Sequence, residues 1–221
     1  IVPTWHTWGC GYMAGMYYTR MEQLGTPVTK EEAMEKCYEY YLEFFEKGSV
    51  EIPEANIKMA GYNGEGGQNE ATAMAAAEAL IASIPDLNLL LPVNDFQAAG
   101  AIMALENSGL VPGEDVFLVV SNDGSTQALE MIRDGKLVAS GNSAPELMGR
   151  SAVDLLHKIF EEGYDANDLL MHTTMPAIAI TSDNWEEFYV EGSTFAKIPE
   201  EPVEFRTTQE AFEDFLASQA G

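Results

Sequence analysis

From residue 56 onward the apolar positions fall into two alternating patterns. Short unbroken runs occur at Asn56 to Ala60 (NIKMA), Leu87 to Val93 (LNLLLPV), Val116 to Val120 (VFLVV), Leu137 to Ser140, and in MPAIAIT within 169–181. Their lengths predict buried strands. Between them lie longer stretches with helical spacing: Asn69 to Ser83, Phe96 to Asn107, Ser125 to Arg133, and Pro145 to Glu162. The first of these is rich in Ala, which permits close packing on a sheet, and Pro145 suits a first helical turn. Strands that are apolar throughout and alternate with helices predict a parallel sheet covered on both faces. The expected architecture is therefore a three-layer α/β sandwich with right-handed crossovers.

The first 55 residues lack that rhythm. Residues 1–12 (IVPTWHTWGCGY) predict a strand end running into a loop, where Trp5 and Trp8, with His6 between them, either line a pocket or pack a domain edge. Tyr12, Met13, Met16, Tyr17 and Met21 mark an amphipathic helix, which Gly25-Thr26-Pro27 breaks. Thr29 followed by Glu32 is a capping-box pattern. It opens a helix from Lys30 to Glu46 with Met34, Cys37, Tyr38, Tyr41 and Phe45 facing inward. The end of the chain, 184–221, is polar, and Thr207 or Thr208 could cap a short helix over Ala211 to Leu216.

In open α/β sheets, ligands sit beyond the carboxyl ends of the strands. That edge collects Asn94 and Asp95, then Ser121 to Gly124, then Gly141 to Ser143, and finally Tyr62, Asn63, Glu65 and Gln68. Each residue alone is also an ordinary turn or cap residue. Four such loops on one edge suit a hydroxylated or amide-bearing small molecule, since Asn both donates and accepts while Asp accepts. Signatures of covalent chemistry do not emerge. GYNGEGG at 61–67 is neither a dinucleotide nor a phosphate loop, and there is no GxSxG or HExxH. His6, His157 and His172 have no evident nucleophile partner. The chain is read as a binding module, not an enzyme, with no cofactor.

Charge narrows the partners. Thirty-six acidic residues against eleven basic ones give a formal net charge of -25. Such a chain repels nucleic acid and anionic membrane surfaces. Cys10 and Cys37 are read as two buried thiols, with a disulfide as the alternative. No stretch has the roughly 18 apolar residues in a row that a membrane helix needs. No segment reads as a signal peptide, and the chain opens on Ile1, so export stays open.

Residues 69–146 carry a recognisable series: the helix NEATAMAAAEALIASIPDLN, then LLLPVNDFQAAGAIMALENSG, then VFLVVSNDGSTQALEMIRDGKLVAS, then the helix after Pro145. This resembles the ribose-binding-like sugar-binding proteins of bacterial ABC transporters, in the periplasmic-binding type 1 class. The resemblance covers about residues 10–185. It implies a Rossmann-like lobe with a remnant of a second lobe, much of whose sequence is missing. The implied pieces are 1–28 as the end of the N-terminal lobe or a crossover, 29–183 as the C-terminal lobe with a return strand, and 184–221 as an extension. A usual first strand of the second lobe is not found between Leu24 and Thr29.

The resemblance also implies site residues. Asn94 and Asp123 match ligand-binding positions, Ser143 falls where a Gln often sits with Asn142 beside it, and Gln68 falls where an aromatic ring stacks on a sugar. Met34 stands about where an Arg would reach the ligand. Trp5, Trp8 or Tyr62 could supply a replacement stacking surface. The implied function is that of an extracytoplasmic or lipid-anchored solute-binding protein. It would grip a polar solute, most simply a carbohydrate, by hinge closure and deliver it to an ABC permease. The alternative is the effector-binding domain of a sugar-responsive transcription regulator, which shares this core.

Overall fold

The structure is a computed structural model, and it describes residues 4–61, 69–119, 121–142, 144–168 and 178–197. The chain divides into two compact units, Ile1–Gly64 with Ala82–Pro85, and Glu65–Ile81 with Asp86–Gly221.

The first unit is built on two long helices, α1 (Thr4–Gln23) and α2 (Lys30–Lys47). Trp5 and Trp8 therefore lie on a helix and not on a strand end entering a loop. Gly9, Gly11 and Gly15 suggest a break, since each costs roughly 1 kcal/mol of helix propensity relative to Ala. Cys10, Met13, Ala14, Tyr17 and Met21 nevertheless form one buried stripe with helical spacing, and that burial carries the helix across its glycines. The capping box on α2 forms as expected. Thr29 Oγ1 accepts from Glu32 N at 3.1 Å, and Thr29 N donates to Glu32 Oε2 at 2.8 Å.

The inward face of α2 is rotated from the expected one. Ala33, Cys37, Tyr41 and Phe44 are buried, whereas Met34 and Tyr38 are exposed, and the Phe45 side chain lies outside the description. Cys10 and Cys37 are buried free thiols. After α2, β1 (Val50–Ile52) pairs antiparallel with β2 (Ile57–Met59), across a 3-10 turn at Pro53–Ala55. The run at 56–60 is thus one arm of a hairpin in this unit, not the first strand of a parallel sheet. Arg20 Nε ties α1 to the turn by donating to Ala55 O at 3.2 Å. Because α1 and α2 share one core, the contacts do not divide the chain at residue 28.

The second unit has the expected mixed α/β order: α3 (Glu70–Ser83, leaving at Ala82), β3 (Leu89–Leu90), α4 (Asp95–Asn107), β4 (Phe117–Leu118), β5 (Ser121–Asn122), α5 (Thr126–Arg133), β6 (Ala139–Asn142), α6 (Pro145–Phe160), β7 (Ile178–Thr181) and α7 (Trp185–Phe188). The β3–β4 and β5–β6 pairs are parallel, while β6–β7 is antiparallel. Val138 N donates to Leu118 O at 3.0 Å, so β4 and β5 act as successive pieces of one line between β3 and β6. Leu90 and Leu118 are buried with Ala98, Ile102, Leu105, Leu129 and Ile132 of α4 and α5. Their strand neighbours Leu89, Phe117 and Val138 are exposed, Phe117 by 45%, so these positions lack the two-sided burial that their apolar runs suggest.

The chain after β7 packs back on this unit. Ala196 is buried, its N–H donates to Gly124 O at 2.7 Å, and Thr126 N donates to Thr194 O at 3.0 Å. The helix expected over 211–216 lies outside the described residues.

Gly100 on α4 sets how closely α3 approaches. A Cβ there would lie 2.5 Å from Glu70 O and 2.7 Å from Ala73 Cβ. Both contacts are with the facing helix, so a methyl can be housed only by moving α3 away. Gly100→Ala is expected to lower stability by about 1–3 kcal/mol, the usual range for overpacking. Urea unfolding should show a lower midpoint at unchanged slope. A midpoint at or above the wild-type value would show that α3 is not seated against α4.

Candidate ligand-binding site

The loops that leave β3, β5 and β6 converge at the amino end of α4. Asn94 is the N-cap of that helix: its backbone is extended, and its Oδ1 accepts from Gln97 N at 3.1 Å. Capping uses the oxygen, and the Asn94 amide NH2 donates to no described residue. Asp95 follows at the first helical position and is only 3% exposed. Its Oδ1 accepts from Ser140 Oγ at 2.8 Å and from Ser121 Oγ, and its Oδ2 accepts from Ser125 N at 2.7 Å. Those donors come from β6, β5 and the N-cap of α5. Asp95 and Ser121, which sequence alone placed among the ligand-facing groups, are thus buried beneath the edge and bonded to each other.

Asp123 sits on the tight turn between β5 and α5. Its φ is 128°, a region in which an L side chain is strained. Its N–H donates to Gly141 O at 2.8 Å, which sets the turn against β6. Burial pushes the Asp123 carboxyl up to about 6; the Asp95 carboxylate adds to the rise, and the Asp95 backbone N–H opposes it. Asp123 thus faces the start of α4, the element that carries Asn94. The following Gly124 has φ of 69°, and a Cβ there would lie 2.8 Å from Cβ and Cγ of Asn142. Only glycine allows the turn to come this close to β6.

Asn142, at the end of β6, is 2% exposed. Its Oδ1 accepts from Ala144 N at 2.7 Å, but its Nδ2 is buried with no partner. A buried amide donor left empty costs about 1–3 kcal/mol, so it is a group that a ligand oxygen or a water would satisfy. Thr126 Oγ1, on the first turn of α5, is the other buried side-chain polar atom without a partner among the described residues.

Of the eight residues singled out from sequence, the structure gathers Asn94, Asp123 and Asn142 around one helix terminus. Trp5 and Trp8 belong to the first unit, and their side chains lie outside the description; Tyr62, Gln68 and Ser143 lie outside the described residues. The fourth expected loop follows β2, which is not part of this sheet. A surface groove of about 220 Å³, lined by Glu70, Ile102, Gln127 and Met131 among others, holds none of the three site residues. No group of three or more His, Cys, Asp or Glu among the described residues is arranged to hold a metal ion.

The arrangement offers a carboxylate acceptor and two amide donors, with no cation at Asp123 among the described residues. A mixed α/β unit with polar loops at its strand ends is the class of fold that results, and the comparisons with known proteins give the family. The family model for the periplasmic binding protein domain matches residues 23–164, and the chain belongs to that family.

The ribose import binding protein of Bacillus subtilis is 38% identical over 84 residues, covering 36% of this chain and 26% of that protein. The Escherichia coli protein of the same name is 32% identical over 82 residues, covering 37% and 26%. The chain matches about a quarter of the length of these relatives. Among solved structures, a galactofuranose binding protein aligns with a TM-score of 0.57 at 18% identity over 80% of this chain and 60% of its own. A solute binding protein from Actinobacillus succinogenes with bound D-allose gives 0.57 at 17% identity, with the same coverages. These two support the fold.

Asp123 is held in a strained turn and beside another carboxylate, so its own contribution to stability depends on pH. Its folded pKa lies above the unfolded value of about 3.9. The folded state therefore binds the proton more tightly, and stability from this group is greatest below pH 4. That stability is lost as pH rises through about 6. Asp123→Asn should raise the melting temperature at pH 7.5, and the gain should vanish by about pH 4. Equal gains at both pH values would place the benefit elsewhere than in the carboxylate's charge.

Proposed function

We propose that the chain is part of a solute-binding protein of an ABC importer, and that it holds a neutral polyhydroxylated molecule, a sugar or a close relative, on the edge formed by Asn94, Asp123 and Asn142. The observation that carries this reading is a carboxyl acceptor at Asp123, on a turn whose Gly124 lies against Asn142, together with the buried Asn142 amide donor that has no partner among the described residues. A sugar presents hydroxyls that both donate and accept, so adjacent hydroxyls can satisfy both groups together. An anionic solute would meet the carboxylate at close range, in a chain with formal net charge -25. The ribose import binding proteins among its relatives, and the sugars named with its structural neighbours, support the same class.

The mechanism is binding and release. Ligand hydroxyls replace the water that otherwise solvates these groups, and the site's geometry selects among stereoisomers. An opposing surface that encloses the ligand strengthens each bond by excluding water. In the importer this surface would come from a second lobe closing about a hinge. The carrier would then hand the solute to an ABC permease outside the cytoplasm. No covalent step is required of any residue in the site.

Ligand titration followed by amide NMR tests the reading, because it detects weak as well as tight complexes. D-ribose, L-arabinose, D-galactose and myo-inositol serve as probes. Saturable shifts are expected at Asn94 to Gln97, Asn122 to Thr126 and Asn142. Asp123→Ala should weaken the best probe at least tenfold, the loss of about 1.4 kcal/mol. Asn94→Ala should weaken it too, while costing about 1 kcal/mol of stability through the lost cap. Asn94→Ser keeps a cap oxygen and separates the two effects. Shifts confined to other parts of the chain, or unchanged affinity in the Asp123 and Asn94 variants, would overturn this assignment.

A further inference from the structure

We propose that Asp95 is the positioning residue of this site: it touches no ligand, and its carboxylate fixes the turn that carries Asp123 and the strand that carries Asn142 relative to the start of α4. The proposal rests on the sugar-binding reading above and adds a residue to it.

An acid at the first position of a helix is usually solvated and interacts with its own helix terminus. Asp95 does otherwise. Asn94 already caps α4, so the helix does not need a second acceptor there. The Asp95 side chain is buried, and both of its oxygens point away from its helix. One takes the hydroxyls of Ser121 and Ser140, and the other takes the backbone N–H of Ser125. These donors are 26, 45 and 30 residues away along the chain.

Two neighbouring paired strands, β5 and β6, and the start of α5 are thus pinned to a single group on α4. Ser140 extends the chain of contacts, since its Oγ also accepts from Gly124 N at 3.3 Å. The two residues flanking Asp123 on its C-terminal side, Gly124 and Ser125, are both held this way. Asn142 lies two residues after Ser140 on the same buried side of β6.

A buried carboxylate served by three neutral donors and no cation is an expensive way to hold a scaffold. Apolar packing would fix the same elements with less desolvation. Hydrogen bonds add direction. Groups that recognise a sugar must be held to within about 0.5 Å, and turns do not reach that rigidity without such ties. The closeness of Asp95 to Asp123 also raises the Asp123 carboxyl, which couples the two acids electrostatically as well as through the backbone.

Asp95→Asn tests this on the whole chain. The amide keeps the shape but removes the charge and turns one acceptor into a donor, so the Ser121 and Ser140 hydroxyls must reverse direction or the Ser125 tie is lost. Four readouts are followed: the affinity for D-ribose, the side-chain carboxyl titration of Asp123 by carbon NMR, the backbone amide signals, and thermal stability. The D-ribose dissociation constant should rise at least tenfold at a temperature where the variant is folded. The Asp123 midpoint should fall, because a neighbouring negative charge is gone. Amide signals of Gly124 to Thr126 and Asn142 should move.

A folded Asp95→Asn protein with lower stability but unchanged affinity and unchanged Asp123 midpoint would overturn the proposal, since that is what a purely structural acid gives. If Asp95→Asn does not fold, Ser121→Ala with Ser140→Ala carries the test. It keeps the Asp95 charge and the Ser125 contact, and a several-fold weaker D-ribose complex is expected, with wild-type affinity the overturning result. Failure of the wild-type chain to bind any of the four sugars would sink the sugar reading instead. The Asp123 midpoint and the amide shifts would then still decide on Asp95.

Discussion

A carboxylate withdrawn from water must find donors within the protein, and Asp95 finds all of its donors on other elements. That requirement organises the second unit. The amino end of α4, the ends of β5 and β6 and the start of α5 are all tied to this one group. The apolar layer of α4 and α5, with Leu90, Leu118, Leu129 and Ile132, brings these elements to the same neighbourhood. Hydrophobic burial is non-directional and would tolerate a small slide of one element past another. The Asp95 hydrogen bonds would not. The polar knot therefore converts an approximate packing arrangement into a defined spacing, and it does so where Asn94, Asp123 and Asn142 leave their elements.

The site residues themselves are held in states that the fold does not favour. Asp123 has a backbone angle suited to glycine and a carboxyl whose ionisation burial and Asp95 both resist. Asn142 keeps a donor buried without an acceptor. Gly124 is confined because any side chain would strike Asn142. Each feature lowers stability, and each becomes sensible when a polar ligand completes the hydrogen bonding. Residues in sparsely populated conformations collect at binding sites for this reason. The surrounding structure, above all the bonds from Asp123 N to Gly141 O and from Ala196 N to Gly124 O, holds them in place.

Most of the second unit's helices were legible from sequence because their ends carry explicit signals. Asn94 and Ser125 cap α4 and α5, Pro145 opens α6, and Thr29 with Glu32 opens α2 in the first unit. The strands were less legible. VFLVV reads as one buried strand, yet it gives the two-residue β4 with Phe117 exposed and a separate β5 at Ser121. Burial depends on what covers a strand, and local sequence does not record that. Helix α1 was obscured by Gly9 and Gly11, whose propensity cost is outweighed by tertiary burial of Cys10, Met13 and Tyr17. The hairpin of β1 and β2 was missed because Val50–Ile52 is too short to display a period. Asn94, Asp123 and Asn142 were placed on one edge by the rule that ligands sit beyond strand ends, and the structure does set all three at the ends of strands or the turns that follow them. Asp95 was visible as a polar residue on that edge but not as its anchor, since its partners are 26 to 45 residues away.

The segment from Thr194 to Lys197 carries a practical lesson about where this protein can be cut or wired. It contains no ligand-facing residue and follows the last strand of the sheet, so a designer trimming the gene to its regular elements would discard it. Yet it forms an antiparallel bridge at Ser125 and Phe195, and its backbone reaches Gly124 and Thr126 on either side of that bridge. A shift of the Asp123 turn would thereby be transmitted to a stretch of chain far along the sequence. A fluorophore or circularly permuted reporter spliced just beyond Lys197 would sit at the far end of that linkage. There it would report motion of that turn without touching Asn94, Asp123 or Asn142.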